Sequence, residues 1–315
     1  MTGKTPLKIG VFLDGRPGHE KQTMGIVDRL RKKNVVDVTT IRVTKKGIFR
    51  QIADWLLYFS FFKRVPERKL RGCNLLIGTG THVHLPMLHV KKYYHIPVIT
   101  CMTPSSLLQK KIDLIFSPQH DGLHEQDNVF LTVGPPNSNV DMGEHLENHV
   151  LVLCGGIDSK SHVWRDDAII NGIIAIIERD PSKQYILSSS PRTPVETSKK
   201  LKAVAEELDN VDFFDFLDTP SGWVERRYNE CRQVWVTADS ISMVYEALSS
   251  GCQVGIIPVA WLGGRSKFMR SEKFLRESGF TLELKDYLHG KDFPKTKKTL
   301  NEAERCADEI LRRFV

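Results

Sequence analysis

A chain of 315 residues exceeds what one hydrophobic core of ordinary size organises and predicts two domains. Its 41% hydrophobic and 26% charged content excludes intrinsic disorder. No apolar run approaches the roughly 20 residues a spanning helix needs, and the N-terminal MTGKTPLKIG lacks the apolar core of a signal peptide.

The net charge of +7 favours anionic partners: nucleotides, phosphosugars, an anionic membrane surface or nucleic acid. Six cysteines, scattered singly and several within apolar runs, argue against a disulfide framework or zinc knuckle and fit reduced core thiols in a cytoplasmic setting.

In the first half, apolar β-branched runs alternate with helical or loop segments: LKIGVFLD, VVDVTTIRV, CNLLIGTG, IPVITCM, KIDLIFSP and NVFLTV. Strands apolar throughout and separated by helices imply a mainly parallel sheet covered on both faces. A stretch rich in proline, asparagine and charge around 135–148 reads as a linker. The alternation then resumes with VLVLCGG, QYILSSS, VDFFDF, VWVTAD and CQVGII. The expectation is α/β: two Rossmann-like doubly wound domains facing a cleft, 1–145 and 146–315, with the C-terminal amphipathic helix packing against a domain face and returning to the first domain. Ligands of such sheets bind beyond the carboxyl ends of the strands.

The loops leaving those ends therefore carry the candidate chemistry. After the first strand, Asp14, Gly15, Arg16, Pro17, Gly18 and His19 open an amphipathic helix, with Gln22 just beyond. Glycines there permit a sharp turn and close approach of a ligand, and the helix start favours an anion. A second loop, GTGTHVHLP, ends its strand in Gly78, Thr79, Gly80 and Thr81; the glycines are read as the cleft floor and the threonines as hydrogen-bond donors. His82 and His84 could ligate a metal only on an extended segment, and no acidic or thiol partner lies near them in sequence. A third loop presents Pro118, His120 and Asp121.

In the second half, Gly155 and Gly156 leave one strand, and Ser188, Ser189, Ser190, Arg192 and Thr193 leave the next. Backbone N–H groups, hydroxyls and one guanidinium suit a diphosphate. After VWVTA, Asp239, Ser240 and Ser242 are placed to cap a helix whose free N–H groups face a phosphate. Glu246, a turn along on the same face, is placed to accept from the vicinal hydroxyls of a ribose.

The order of these motifs, DGRPGHEKQ, GTGTHVHLP, DLIFSPQHD, LCGG, SSSPRTP and VTADSISMVYEALSSG, resembles the plant mitochondrial fission family named for elongated mitochondria. Its bacterial members are assigned as glycosyltransferases of surface saccharide assembly. The resemblance spans 8–260 and implies a GT-B-like architecture with a nucleotide-sugar donor mainly on the C-terminal domain. It implies donor contacts at Gly155, Gly156, Ser189, Arg192, Ser240, Ser242 and Glu246, with Asp14, Arg16, Gly18 and His19 facing them. The chain departs from the more basic SRRTP expected of the family, leaving Arg192 as that loop's guanidinium.

On this reading the chain is a metal-independent glycosyltransferase. It takes a nucleotide-sugar as co-substrate, with no cofactor, and a lipid-linked or cell-surface saccharide as acceptor. The base is His19 or Asp14, with His120 or Asp121 behind them, and Arg16, Gly18, Thr79, Gly80, His120 and Asp121 lie on the acceptor side of the cleft. Two other readings stand beside it: a nucleotide-sugar epimerase of the same build, and a non-catalytic fission adaptor. The stretch 52–71 places Trp55, Leu56, Leu57, Tyr58, Phe59, Phe61 and Phe62 beside Lys63, Arg64, Arg68, Lys69 and Arg71, which suits peripheral docking on an anionic leaflet. Its aromatics form one apolar run rather than a stacking platform, so nucleic acid is not an expected partner.

Overall fold

A computed structural model describes residues 5–44, 55, 56, 58, 67–263, 267–294 and 299–315. The chain forms two compact units, Met1–Ser138 with Asn301–Val315, and Asn139–Leu300. The division falls inside the stretch read as a linker, whose last residues already belong to a strand.

In the first unit β1 (Leu7–Leu13), α1 (Pro17–Lys33) and β2 (Val36–Arg42) are followed by β3 (Leu75–Thr79) and α2 (Thr81–Tyr94). Then come β4 (Val98–Cys101), the single-turn α3 (Ser106–Gln109), β5 (Leu114–Pro118) and β6 (Val129–Thr132). The strands pair in parallel in the order β2-β1-β3-β4-β5-β6.

Burial on both faces explains the unbroken apolar runs. Ile9, Val11, Leu75 and Ile77 pack with Ile26 and Leu30 of α1 on one face. Phe12, Leu76 and Val98 pack with Val83 and Met87 of α2 on the other, as a period of two residues requires. The C-terminal helix Glu302–Phe314 belongs to this unit. Its Ala303, Cys306, Ala307 and Ile310 form one stripe against α1 and the sheet, and Asn301 Oδ1 caps its start by accepting from Glu304 N at 3.2 Å.

The second unit runs β7 (Leu146–Leu153), β8 (His162–Val163), α4 (Asp166–Arg179), β9 (Gln184–Ser188), α5 (Val195–Glu207) and β10 (Val211–Phe214). It continues through α6 (Trp223–Glu230), β11 (Cys231–Thr237), α7 (Ile241–Ser249) and β12 (Gln253–Ile257), then β13 (Ala260–Trp261), α8 (Lys267–Glu277), β14 (Thr281–Glu283) and α9 (Leu284–Leu288). The parallel order is β10-β9-β7-β11-β12-β14, and β8 pairs with β13 in a small antiparallel ladder. Ile169, Ile173, Ile176 and Ile177 of α4 are buried on the sheet, each contributing roughly 1.5–3 kcal/mol. Gly255 leaves room for the buried Trp235, whose ring would lie 2.3 Å from any Cβ there.

Each sheet reverses its winding once, between β1 and β3 in the first unit and between β7 and β11 in the second. At such a switch point the flanking connections leave to opposite faces and open a crevice beyond the strand ends. The fold thus marks one place in each unit. Among the described residues no helix is long and apolar enough to cross a membrane. Most of the 52–71 stretch lies outside the described residues.

Candidate active site

At the switch point of the first unit, Asp14 follows β1 and His19 occupies the first turn of α1. His19 Nδ1 donates to Asp14 Oδ2 at 2.9 Å, and Oδ1 of the same carboxylate accepts from Arg16 N at 3.2 Å. The Asp14 side chain is 0% exposed and that of His19 15%. Because a carboxylate only accepts, the imidazole proton sits on Nδ1 and the Nε2 lone pair is left for another group. Gly80, with φ +98°, closes in behind the ring.

Arg16 is half exposed, and its Nη2 donates to His82 Nε2 at 3.5 Å. Gly18 has nothing within 4 Å of where a Cβ would stand, so open space lies beside the helix start. Gln22, one turn past His19, keeps its Oε1 buried without a hydrogen-bond partner among the described residues.

Several residues expected here do other work. Thr79 is buried and shares a hydrogen bond with Thr23 of α1 at 2.7 Å, so it pins helix to strand rather than offering a donor to a ligand. His82 and His84 lie in the first turn of α2 rather than on an extended segment, so the extended pair a metal would need does not form. His84 is buried, bonds Thr100 Oγ1 through Nε2 at 3.0 Å, and burial with His19 nearby pushes its pKa down to about 4. His120 and Asp121 form a separate cluster on the turn after β5, where Asp121 Oδ2 accepts from Thr103 at 3.3 Å.

The second unit joins its two informative loops at its own switch point. Gly155 N donates to Thr237 Oγ1 at 2.7 Å, and Gly156 N to Asp239 Oδ2 at 3.0 Å. Arg192 Nη2 donates to the same Oδ2 at 2.8 Å and to Ser240 Oγ at 3.0 Å. The Asp239 side chain is 1% exposed while that of Arg192 is 43% exposed, so the guanidinium bridges a buried anion and open solvent. Asp239 Oδ1 is buried with no hydrogen-bond partner among the described residues.

The glycine pair is a packing requirement. A Cβ at Gly155 would fall 2.1 Å from Asp239 Oδ2, and one at Gly156 would fall 1.9 Å from Arg192 O.

This arrangement corrects the capping expectation. No side chain caps α7; Asp239 and Ser240 are turned toward Gly156 and Arg192, which leaves the N–H groups of the first turn uncapped by side chains. Ser242 is exposed on that turn and Glu246 half-buried one turn later. Ser189 is enclosed, donating to Asp215 Oδ2 at 3.1 Å and accepting from Phe216 N at 2.9 Å, so it holds the β9 and β10 loops together instead of facing a ligand.

Sequence reasoning missed Thr237 and His162; His162 Nε2 donates to Gly156 O at 3.0 Å. Thr237 carried a signal as the last polar residue of a buried strand. His162 carried none, because its role depends on the β8 and β13 ladder.

Two Rossmann-like units, each with polar side chains gathered at its switch point, define a protein of the GT-B fold. The chain belongs to the mitochondrial fission ELM1 family, whose sequence profile matches residues 17–314. No curated protein matches the sequence.

Among solved structures it is similar to a Listeria monocytogenes protein assigned as a UDP-N-acetylglucosamine 2-epimerase, with TM-score 0.60, 11% identity, and 98% of this chain and 95% of that one covered. It is also similar to the UDP-GlcNAc 2-epimerase of Methanocaldococcus jannaschii, solved with UDP-GlcNAc and UDP (TM-score 0.52, 13% identity, 97% and 98% covered). A ugt transferase from Siraitia grosvenorii in complex with UDP gives TM-score 0.53 at 13% identity, with 98% and 90% covered.

Proposed function

We propose that this chain is a nucleotide-sugar-dependent glycosyltransferase whose acceptor is a saccharide, free or lipid-linked. The observation that carries the reading is the Asp14–His19 pair: a wholly buried carboxylate orients an imidazole and leaves its Nε2 basic. The binding of UDP or UDP-sugar by solved proteins of the same fold supports a nucleotide-sugar partner.

In this reaction the acceptor hydroxyl gives its proton to His19 Nε2 as its oxygen bonds to the anomeric carbon of the donor. The bond from that carbon to the diphosphate oxygen breaks, and the nucleoside diphosphate leaves with the electron pair. Arg192 and the uncapped N–H groups at the start of α7 meet the charge that develops on the diphosphate. Gly155 and Gly156 let Asp239 and the Arg192 main chain pack against their loop, and Glu246 reads the ribose hydroxyls from the next turn of α7. Arg192 meets that charge while remaining paired with Asp239, and the scheme calls for no cofactor. Anchoring of the acceptor side to an anionic membrane through 52–71 belongs to the same proposal.

Likeness to two 2-epimerases supports a second reading, nucleotide-sugar epimerisation without an acceptor. The family description supports a third, a fission adaptor. Incubating the protein with each nucleotide-sugar, with and without a glycolipid acceptor, separates them. A transferase releases diphosphate with sugar appearing on the acceptor, an epimerase interconverts the sugar alone, and an adaptor does neither. Loss of the transfer product in His19→Ala is the expected outcome; transfer at the full rate in that variant would remove the basis of the proposal.

A further inference from the structure

The first unit contains a cavity of about 170 Å³ lined by Trp55, His82, His84, Leu85, Ser105 and Leu108, among others. That is below the roughly 300 Å³ at which pockets for drug-sized ligands begin. It suits a single ring.

The polar groups of its wall have fixed hydrogen-bonding roles. Thr100 Oγ1 has one proton, and it lies 2.8 Å from Gly78 O and 3.1 Å from Cys101 O, both of which only accept. His84 Nε2, 3.0 Å from the same oxygen, is therefore the donor in that contact. His84 is 2% exposed and its pKa lies at about 4, so the ring is neutral at pH 7 and its Nδ1 is a bare acceptor. Among the described residues Nδ1 has no hydrogen-bond partner.

His82 has the opposite pattern. Its Nε2 accepts from the Arg16 guanidinium, so in the neutral ring Nδ1 carries the proton and donates. The cavity thus offers an acceptor, a donor and the hydroxyls of Thr44, Thr81 and Ser105, between an indole and the side chains of Leu85, Pro86 and Leu108.

We propose that this cavity binds one uncharged, hydroxylated ring, a hexose or N-acetylhexosamine unit, with its C–H face on Trp55 and a hydroxyl donating to His84 Nδ1. A ring of this kind both gives and takes hydrogen bonds, which the two imidazoles require, and it has the apolar face that an indole stacks against. A free anion does not fit the description, because a bare imidazole lone pair would face it. Arg16, which donates to His82 on the cavity wall, also donates through its backbone N to Asp14 Oδ1, so the ring sits near the dyad. Its assignment as the acceptor rests on the transferase reading; its binding does not.

The test is a titration of the full chain, without nucleotide, with methyl β-D-glucoside and methyl N-acetyl-β-D-glucosaminide, and with octyl β-D-glucoside below its micelle threshold. It is followed through the 15N resonance of His84 Nδ1. Saturable movement of that resonance is expected, weakened at least tenfold by Trp55→Ala. The same loss is expected from Ser105→Trp, which obstructs the cavity from an exposed position whose side chain caps nothing.

Tighter binding of the octyl compound by tenfold or more identifies a glycolipid as the source of the ring; equal binding identifies a free saccharide end. No movement with any of the three, or binding unchanged in both variants, overturns the proposal. Nucleotide binding, measured separately, reports on the transferase reading alone.

Discussion

Gly80 stands so close to His19 that a Cβ on it would lie 2.4 Å from Nδ1 and 3.1 Å from Asp14 Oδ2. The glycine is therefore part of what holds the dyad, and its φ of +98° adds a conformation that side chains rarely adopt. Gly80→Ala is expected to push the imidazole off the carboxylate and lower the transfer rate by about 10²–10⁴, the usual worth of a positioned general base. It should also cost on the order of 1–3 kcal/mol of stability from backbone strain. Steady-state rates with a saturating donor, beside urea unfolding, measure both.

The two glycines after β7 and the one before His19 should behave oppositely. At Gly156 an added methyl meets the Arg192 carbonyl at 1.9 Å, and main chain cannot swing aside. Gly156→Ala should cost about 3 kcal/mol. Gly18, with nothing within 4 Å of a Cβ, should accept alanine within about 0.5 kcal/mol. Urea midpoints of the two variants decide the contrast.

Removing Arg192 leaves Asp239 buried with Gly156 N and Ser240 Oγ as its remaining donors. Because the guanidinium is 43% exposed, solvent screens part of the pair, and Arg192→Ala should cost about 1–3 kcal/mol rather than the full penalty of a buried charge. Arg192→Ala combined with Asp239→Asn should cost less than the two single changes added together. A double-mutant cycle in urea measures that coupling.

His84 makes the fold sensitive to acid. Its pKa is lowered in the folded protein to about 4 from an ordinary value of 6.5, so the unfolded chain binds the extra proton between those values. The stability this site allows is full above pH 6.5 and is lost as pH falls through 4, by on the order of 3 kcal/mol. Between pH 7 and 4, His84→Gln should flatten the fall in urea midpoint relative to the unaltered protein.

Most of this architecture was legible in the sequence because parallel strands buried on both faces are continuous apolar runs. Six strands of the first sheet and five of the second stood out, although the edge strands β2 and β10, only partly buried, did so by their β-branched and aromatic residues. The sixth, β14, is the three residues Thr281–Glu283, too short to show a period. The candidate loops were legible for the same reason, since strand ends locate them.

The roles within them were less so. Asp239 reads as a helix cap because acidic residues before helices usually cap, yet a guanidinium 47 residues away in sequence takes its oxygen. Thr79 reads as a ligand donor until Thr23, on the neighbouring helix, is seen to share its hydrogen bond. In both cases a tertiary partner decided between two local uses of the same side chain.

The central claim is that the second unit binds the nucleotide of a sugar donor while His19 serves the chemistry. It is tested most directly by thermal scans of the protein with UDP, GDP, ADP, dTDP and CMP and their sugar conjugates, beside Glu246→Ala and His19→Ala. A ligand at about 100 times its Kd adds roughly 2.7 kcal/mol, which raises the Tm by several degrees. The account predicts such a rise with one nucleotide family, abolished in Glu246→Ala and kept in His19→Ala. No rise with any of them, or a rise that Glu246→Ala leaves intact, would contradict it.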